Sequence, residues 1–229
     1  MSVYAIADLH LSFGVDKSMD IFAGWSDYVK KIEENWRKTV KRNDTVVIAG
    51  DISWAMKLEE AKKDLGFVNN LPGNKIIIKG NHDYWWTTKS KIENFLKENS
   101  LSTISVLFNC AYRVESIFIC GTRGWTCNPE SEEDKKILAR EAGRLKCSLD
   151  FAKKYNLEPV VFLHFPPVYG GCESKEIINL LIERKVKKCY YGHIHGGASP
   201  KNIIEGDYKG VYFKMISCDY IDFYPILVV

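Results

Sequence analysis

The stretch IIIKGNHDYWW, Ile76 to Trp86, sets the fold problem. Three isoleucines and a glycine lead into an amide, an imidazole, a carboxylate and three aromatics. A continuous apolar run of this length reads as a strand buried on both faces. Polar side chains of three kinds at its end read either as an ordinary turn or as part of a site. The same pattern recurs along the chain. The runs VYAIA (3–7), TVVIAG (45–50), VVFLHF (160–165) and KCYYG (188–192) also read as strands. They lead into Asp8 and His10, Asp51, His164, and His193 and His195. In α/β folds, ligands gather at the carboxyl ends of strands. The chain has five histidines, and all five fall at these ends.

Between the apolar runs lie amphipathic segments that read as helices: 27–41, 57–70, 89–99, 132–155 and 174–185. The longest carries an expected Glu132–Lys136 pair at helical spacing. A further strand is expected at 116–121. The chain finishes in the strands 211–217 and 225–229, with no helix between them. An α/β beginning and a β-rich end predict two packed sheets with helices outside. No linker or repeat divides the 229 residues, so one domain over 1–229 is expected.

Composition narrows the function. A net charge of +3 does not call for a polyanionic partner, and the Lys/Arg clusters lie on helix-like segments as solvated faces. No apolar run approaches the ~20 residues of a membrane helix. The start, MSVYAIADLH, lacks the pattern of a signal peptide. The seven cysteines form no Cys-x-x-Cys pair and read as reduced packing residues of a cytoplasmic protein. No membrane or nucleic-acid partner is expected, and the oligomeric state stays open.

Along an extended chain, residues i and i+2 project to one side, so Asp8 and His10 are expected to aim together, as are His193 and His195. Gly50, Gly80 and Gly192 precede the polar groups, where glycine permits positive φ or close approach. A donor set of Asp, His and Asn without Cys suits Mn²⁺, Fe or Zn²⁺.

The order Asp-x-His, Gly-Asp, Gly-Asn-His-Asp, His, Gly-His-x-His, from Asp8 to His195, resembles the calcineurin-like metallophosphoesterases. That resemblance implies an α/β/β/α four-layer sandwich of two mixed sheets flanked by helices. It also implies a centre of two divalent ions, with manganese first among the candidates. Asp8, His10, Asp51 and His195 would hold one ion, and Asp51, Asn81, His164 and His193 the other, Asp51 bridging. A hydroxide held by the metals would attack phosphorus, with His82 as proton donor and Asp83 orienting the His82 ring or raising its basicity. The text after Asp51 (ISWAMKL) lacks the arginine of the protein serine/threonine phosphatases, and Asp83 stands where they have glutamate. ADLHL, HFPP and GHIHG are more similar to the class III cyclic-nucleotide phosphodiesterases and other small phosphodiesterases.

The expected activity is therefore a phosphodiesterase on a small or nucleotide-like substrate. The alternatives are a phosphomonoesterase or phosphoprotein phosphatase with the same centre, and a non-catalytic scaffold. Trp54, Trp85, Trp86 and Trp125 are candidates to stack on a planar substrate group, with loop packing as the alternative. Arg123 is a candidate phosphate clamp, with a surface ion pair as the alternative.

Overall fold

The computed structural model describes residues 1–155, 157–196 and 202–229. In chain order the elements are β1 (Val3–Ile6), α1 (Tyr28–Thr39), β2 (Thr45–Ile48), α2 (Lys62–Asn70), β3 (Asn74–Ile77), α3 (Lys89–Glu98) and β4 (Ile104–Val106). There follow β5 (Tyr112–Val114), β6 (Ile117–Thr122), α4 (Glu132–Lys153), β7 (Glu158–Leu163), β8 (Val168–Tyr169), β9 (Cys172–Glu173) and α5 (Lys175–Glu183). The last are β10 (Lys188–Tyr191), β11 (Gly206–Tyr208), β12 (Val211–Met215) and β13 (Ile226–Leu227).

One sheet has the order β13-β1-β2-β3-β4 and the other β11-β12-β10-β7-β6-β5; β8 and β9 form a small separate ribbon. The inner strands of both sheets run parallel, and β13, β11 and β5 add antiparallel edges. The strand periodicity explains why there are four layers. Side chains alternate across a strand. Val3, Ala5, Val47, Ile76 and Ile78 point inward and meet Ile117, Ile119, Val160, Phe162 and Tyr190 of the other sheet. Ile6, Val46, Ile48 and Ile77 point outward onto Ile32 and Trp36 of α1, Leu65 of α2 and Ile92 of α3. On the far side Phe118, Val161, Leu163 and Cys189 meet Leu138 and Leu145 of α4 and Ile177 and Leu181 of α5. Runs such as TVVI are apolar throughout because both of their faces are covered.

Several expected elements shift. The helix expected from Lys57 begins at Lys62, because the Glu60 carboxylate accepts from the backbone of Met56 and Lys57 in a turn instead. In α4, Glu132 pairs with Lys135 at 2.6 Å rather than with Lys136. The helix is started by a capping box in which Ser131 and Asp134 satisfy each other's backbone N–H groups. The short strands β4, β5 and β11 carry little apolar signal and escape a pattern reading.

Lys75 is fully buried in β3. Its ammonium donates to the carbonyls of Leu71 (2.7 Å), Gly73 (2.8 Å) and Asn69 (3.1 Å), closing the carboxyl end of α2 onto the sheet. Lys75→Met removes a charged donor from three acceptors. The expected loss is about 3 kcal/mol, or roughly 6–12 °C in Tm, measurable by thermal denaturation.

Candidate metal centre

The polar groups at the strand ends come together where the two sheets meet. The end of β1 joins the end of β12 through Ala7 N–H to the Ile216 carbonyl (2.8 Å) and Cys218 N–H to the Ala7 carbonyl (3.0 Å). The loop after β1 runs beside the loop after β2: Asp8, His10 and Leu11 N–H groups donate to the carbonyls of Gly50, Asp51 and Ile52. These loops are not extended. Asp8 (φ 59°), His10 (φ 45°), Asp51 (φ 51°) and His193 (φ 73°) all take the left-handed conformation. That conformation is uncommon and costly for residues with a Cβ. The expectation of side-by-side aim along an extended strand is thus corrected: Asp8 and His10 converge through left-handed turns. His193 and His195 diverge. The His195 ring lies 4.8 Å from His10, and the His193 ring lies 5.1 Å from His164.

The three glycines are used differently. Gly50 has φ +93°. At Gly80 an added Cβ would collide with the Asp51 carboxylate and backbone, and at Gly192 it would sit 2.7 Å from an Asp8 carboxylate oxygen. The loop after β3 therefore touches Asp51 with bare backbone.

Within this pocket of loops, Asp8, His10 and His195 form one group of ligand-type atoms, and Asp8, Asp51 and His164 another. Asp51 reaches both halves. Its Oδ1 lies 3.5 Å from His164 Nε2 and its Oδ2 3.7 Å from His10 Nε2. Asp8 accepts from the His193 backbone N–H at 2.9 Å. The donor chemistry fits cations. His164 Nδ1 donates to the Ala49 carbonyl at 3.0 Å, leaving a lone pair on Nε2, which faces Asn81 Oδ1 at 2.6 Å. Two lone pairs at that separation repel unless a cation lies between their axes. His10 Nε2 and His195 Nε2 are 3.1 Å apart, the spacing of roughly 3 Å that two nitrogens ~2 Å from one first-row ion adopt. Asp51 Oδ2 is buried without a hydrogen bond among the described residues.

The electrostatics agree. Burial, then the other imidazoles, holds His10 well below its ordinary value; burial takes His164 and His193 down to about 3 and also lowers His195. All four are neutral and free to ligate. Burial and the Asp51 charge raise Asp8 well above the carboxylate range, and burial raises Asp51 to about 6. Two crowded carboxylates beside neutral imidazoles make a site short of positive charge.

His82 stands beside this cluster. Its backbone N–H donates to Asp51 Oδ1 at 2.8 Å, and its half-buried ring lies 5.7 Å from that of His10. Asp83 does not support it. The Asp83 carboxylate is buried and accepts from the N–H groups of Gly80 (2.8 Å), Ile52 (2.9 Å) and Ser53 (3.2 Å) and from Trp85 Nε1 (3.0 Å). The expected orienting role of Asp83 is corrected: it ties the loops after β2 and β3 together. What touches the His82 ring is Tyr84, whose hydroxyl is 3.3 Å from Nδ1, and the Trp54 indole, 4.5 Å away.

The tryptophans separate. Trp54 stacks on His10 at 4.7 Å, with the Lys17 ammonium 3.6 Å from its ring centre. Trp85 is 2% exposed and packs in the core under α1–α3, so it is corrected to a packing residue. Trp86 lies beside Trp85 at the edge of that core. Trp125 donates to Asp134 at 2.9 Å and packs toward α4. The Arg123 guanidinium lies 4.5 Å from the Trp125 ring and 3.7 Å from the Glu141 carboxylate. Two neighbours were missed by sequence reasoning. Trp25 is fully buried against His10 and His195. Asp219 accepts from Gly196 N–H at 2.7 Å and tethers the loop after His195. It follows the strand VYFKMIS, so the strand-end pattern could have found it.

A sequence profile of the calcineurin-like phosphoesterase family matches residues 1–197. Among solved structures, a protein of unknown function from Aquifex aeolicus is 18% identical, covering 99% of this chain and 95% of that one, with a TM-score of 0.53. Phosphopantetheinyl hydrolase from Mycobacterium tuberculosis is 14% identical, covering 100% and 96%, with a TM-score of 0.60. At such identities the likeness concerns the fold. No curated protein matches the chain significantly.

Asp83→Ala leaves four donors without their acceptor and frees the loops that carry Asp51 and Asn81. A loss of about 3 kcal/mol in stability is expected, with metal content falling alongside. Unchanged stability and metal content in denaturation and elemental analysis would return Asp83 to a role on His82.

Proposed function

Because the chain belongs to the calcineurin-like phosphoesterases, and is therefore a metal-dependent phosphoester hydrolase, we propose that it is a phosphodiesterase on a small or nucleotide-like substrate. In this reading Asp8, His10, Asp51 and His195 hold one divalent ion and Asp51, Asn81, His164 and His193 the other, with manganese the first candidate. When bound, such ions supply positive charge to the phosphoryl oxygens and lower the pKa of water. Asp51 would be the shared ligand, since its two oxygens face His10 and His164, and Asp8 lies in both groups of ligand atoms.

His82 delivers the proton to the leaving oxygen. Its backbone is fixed on Asp51 while its ring stands half-buried beside the ligand cluster. Burial lowers the pKa of this imidazole and the Asp51 charge opposes that shift, so a proton placed on the ring is readily given up. Trp54 and Tyr84 hold the ring from two sides.

The observation that carries the diester assignment is the neighbour supplied by the segment after Asp51. That segment puts the indole of Trp54 against the His10 and His82 rings. A monoester dianion is best met there by a guanidinium, in bidentate contact. A diester carries one charge and two organic groups, and what this segment offers is an indole carrying the single Lys17 ammonium, with no guanidinium to grip a dianion. The seven free cysteines support a reducing, cytoplasmic setting, and among the described residues no helix is long and apolar enough to cross a membrane.

The manganese-loaded protein should hydrolyse bis(p-nitrophenyl) phosphate with at least tenfold higher kcat/KM than p-nitrophenyl phosphate. The reverse preference would make it a monoesterase. His82→Ala should lower kcat by about 10²–10⁴-fold on esters with alkoxide-like leaving groups. The drop should be smaller on nitrophenyl esters, with both ions retained. An equal loss across a leaving-group series, or loss of metal, would show that His82 positions or ligates instead.

A further inference from the structure

Beside the loops that carry Asn81 and His164 lies a groove of about 550 Å³. Its floor is the residue before Gly80 and the residue after β6, Lys79 and Arg123, and its outer wall is the first half of α4. The groove adjoins the loops of the centre: Lys79 is two residues before Asn81, and the Arg123 carbonyl accepts from the His164 and Phe165 N–H groups at 3.0 and 2.8 Å.

The charges in it do not balance. Glu141 is the one carboxylate among the lining residues, and it is buried. Its oxygens are shared by the Thr122 hydroxyl, the Arg144 guanidinium and, at 3.7 Å, Arg123. Lys89 and Arg140 also line the groove, but they have partners of their own in Glu93 and Glu133. Lys79 has no ion pair and no side-chain hydrogen bond among the described residues, though it is only partly exposed. Lys79, Arg123 and Arg144 therefore face two carboxylates, Glu141 and the buried Asp83 near Lys79, and the oxygens of Asp83 are already taken by four N–H donors. Like charges gathered in a half-enclosed space repel, and packing needs no third cation there. The guanidiniums are also preset: Arg144 lies 5.0 Å from the Phe108 ring and Arg123 4.5 Å from the Trp125 ring. Planar cations held on aromatic faces keep their N–H edges free for an oxyanion.

We propose that this groove binds a second phosphoryl group of the substrate, so that the preferred substrates are phosphoesters bearing another phosphate or a pyrophosphate away from the scissile bond. This rests on the phosphoester-hydrolase reading of the adjacent centre. Lys79 and Arg144 meet the oxyanion, and Arg123 bridges the groove to the loop of His164. The scissile group lies at the metal ligands while the remote phosphate is held beyond Asn81.

The first test is calorimetric titration of pyrophosphate into metal-free protein. Wild type and Asp51→Asn should bind alike, while Lys79→Met and Arg144→Met should bind at least tenfold more weakly. Arg144→Met deprives Glu141 of a partner and can disturb folding. Lys79→Met breaks no ion pair or side-chain hydrogen bond among the described residues and decides the matter. Absence of binding, or binding that ignores Lys79→Met, would overturn the subsite. The second test compares p-nitrophenyl thymidine 5′-phosphate with its 3′-phosphorylated counterpart on the metal-loaded enzyme. The 3′-phosphate should raise kcat/KM at least tenfold, and Lys79→Met should bring the ratio between the two esters down to about one. Equal rates for the two esters would overturn the substrate class. Pyrophosphate binding without hydrolysis of either ester would overturn the diesterase reading and leave the subsite standing.

Discussion

One oxygen of Asp51 is buried with no hydrogen bond among the described residues, and much of the surrounding structure is arranged to put it there. The backbone of Asp51 is left-handed. Its carbonyl accepts from His10 N–H, its other oxygen accepts from His82 N–H, and Gly80 lies against it where no Cβ fits. Burying an unpaired charged oxygen is costly. So is left-handed backbone at three further residues, Asp8, His10 and His193. None of these features strengthens the fold by itself. A cation bound between the same atoms, as proposed, would make use of each, and a ligand that binds the native state adds its own binding free energy to stability. The sandwich holds the strain, and bound ions would return part of what it costs.

The layers were legible in the sequence because burial on both faces leaves no choice of residue type. TVVI, IIIK and VVFL could be little else than central strands, and a polar group at the end of each is a conspicuous break. The donor set was visible for the same reason. How the donors converge was not. Left-handed turns at Asp8 and His193 are decided by loops from distant parts of the chain lying side by side, and no local period encodes that. Trp85 shows the same limit: an aromatic that follows a site motif looks available, yet its indole is spent on Asp83 and the core. Asp83 was misread because its acceptor role depends on Ile52 and Ser53, some thirty residues away in the chain.

The run Asn81-His82-Asp83 then has a physical account. Three consecutive side chains go three ways: Asn81 toward His164, His82 beside Trp54 at the rim, and Asp83 down into the protein. A strand would allow only two directions. The chain achieves three because it leaves β3 at Ile77 and turns, with Tyr84 N–H bonded to the His82 carbonyl and Trp86 N–H to the Asp83 carbonyl. Asp83 makes that turn rigid by holding Gly80 at one end and Trp85 at the other. The proton-donor role proposed for His82 calls for such an arrangement. Its backbone must be fixed to the centre, or the ring would drift by more than a hydrogen bond tolerates. Its ring must stay out of the ligand cluster, or it would join the neutral imidazoles already there. The buried carboxylate next in sequence secures the first condition, and the turn it stabilises secures the second.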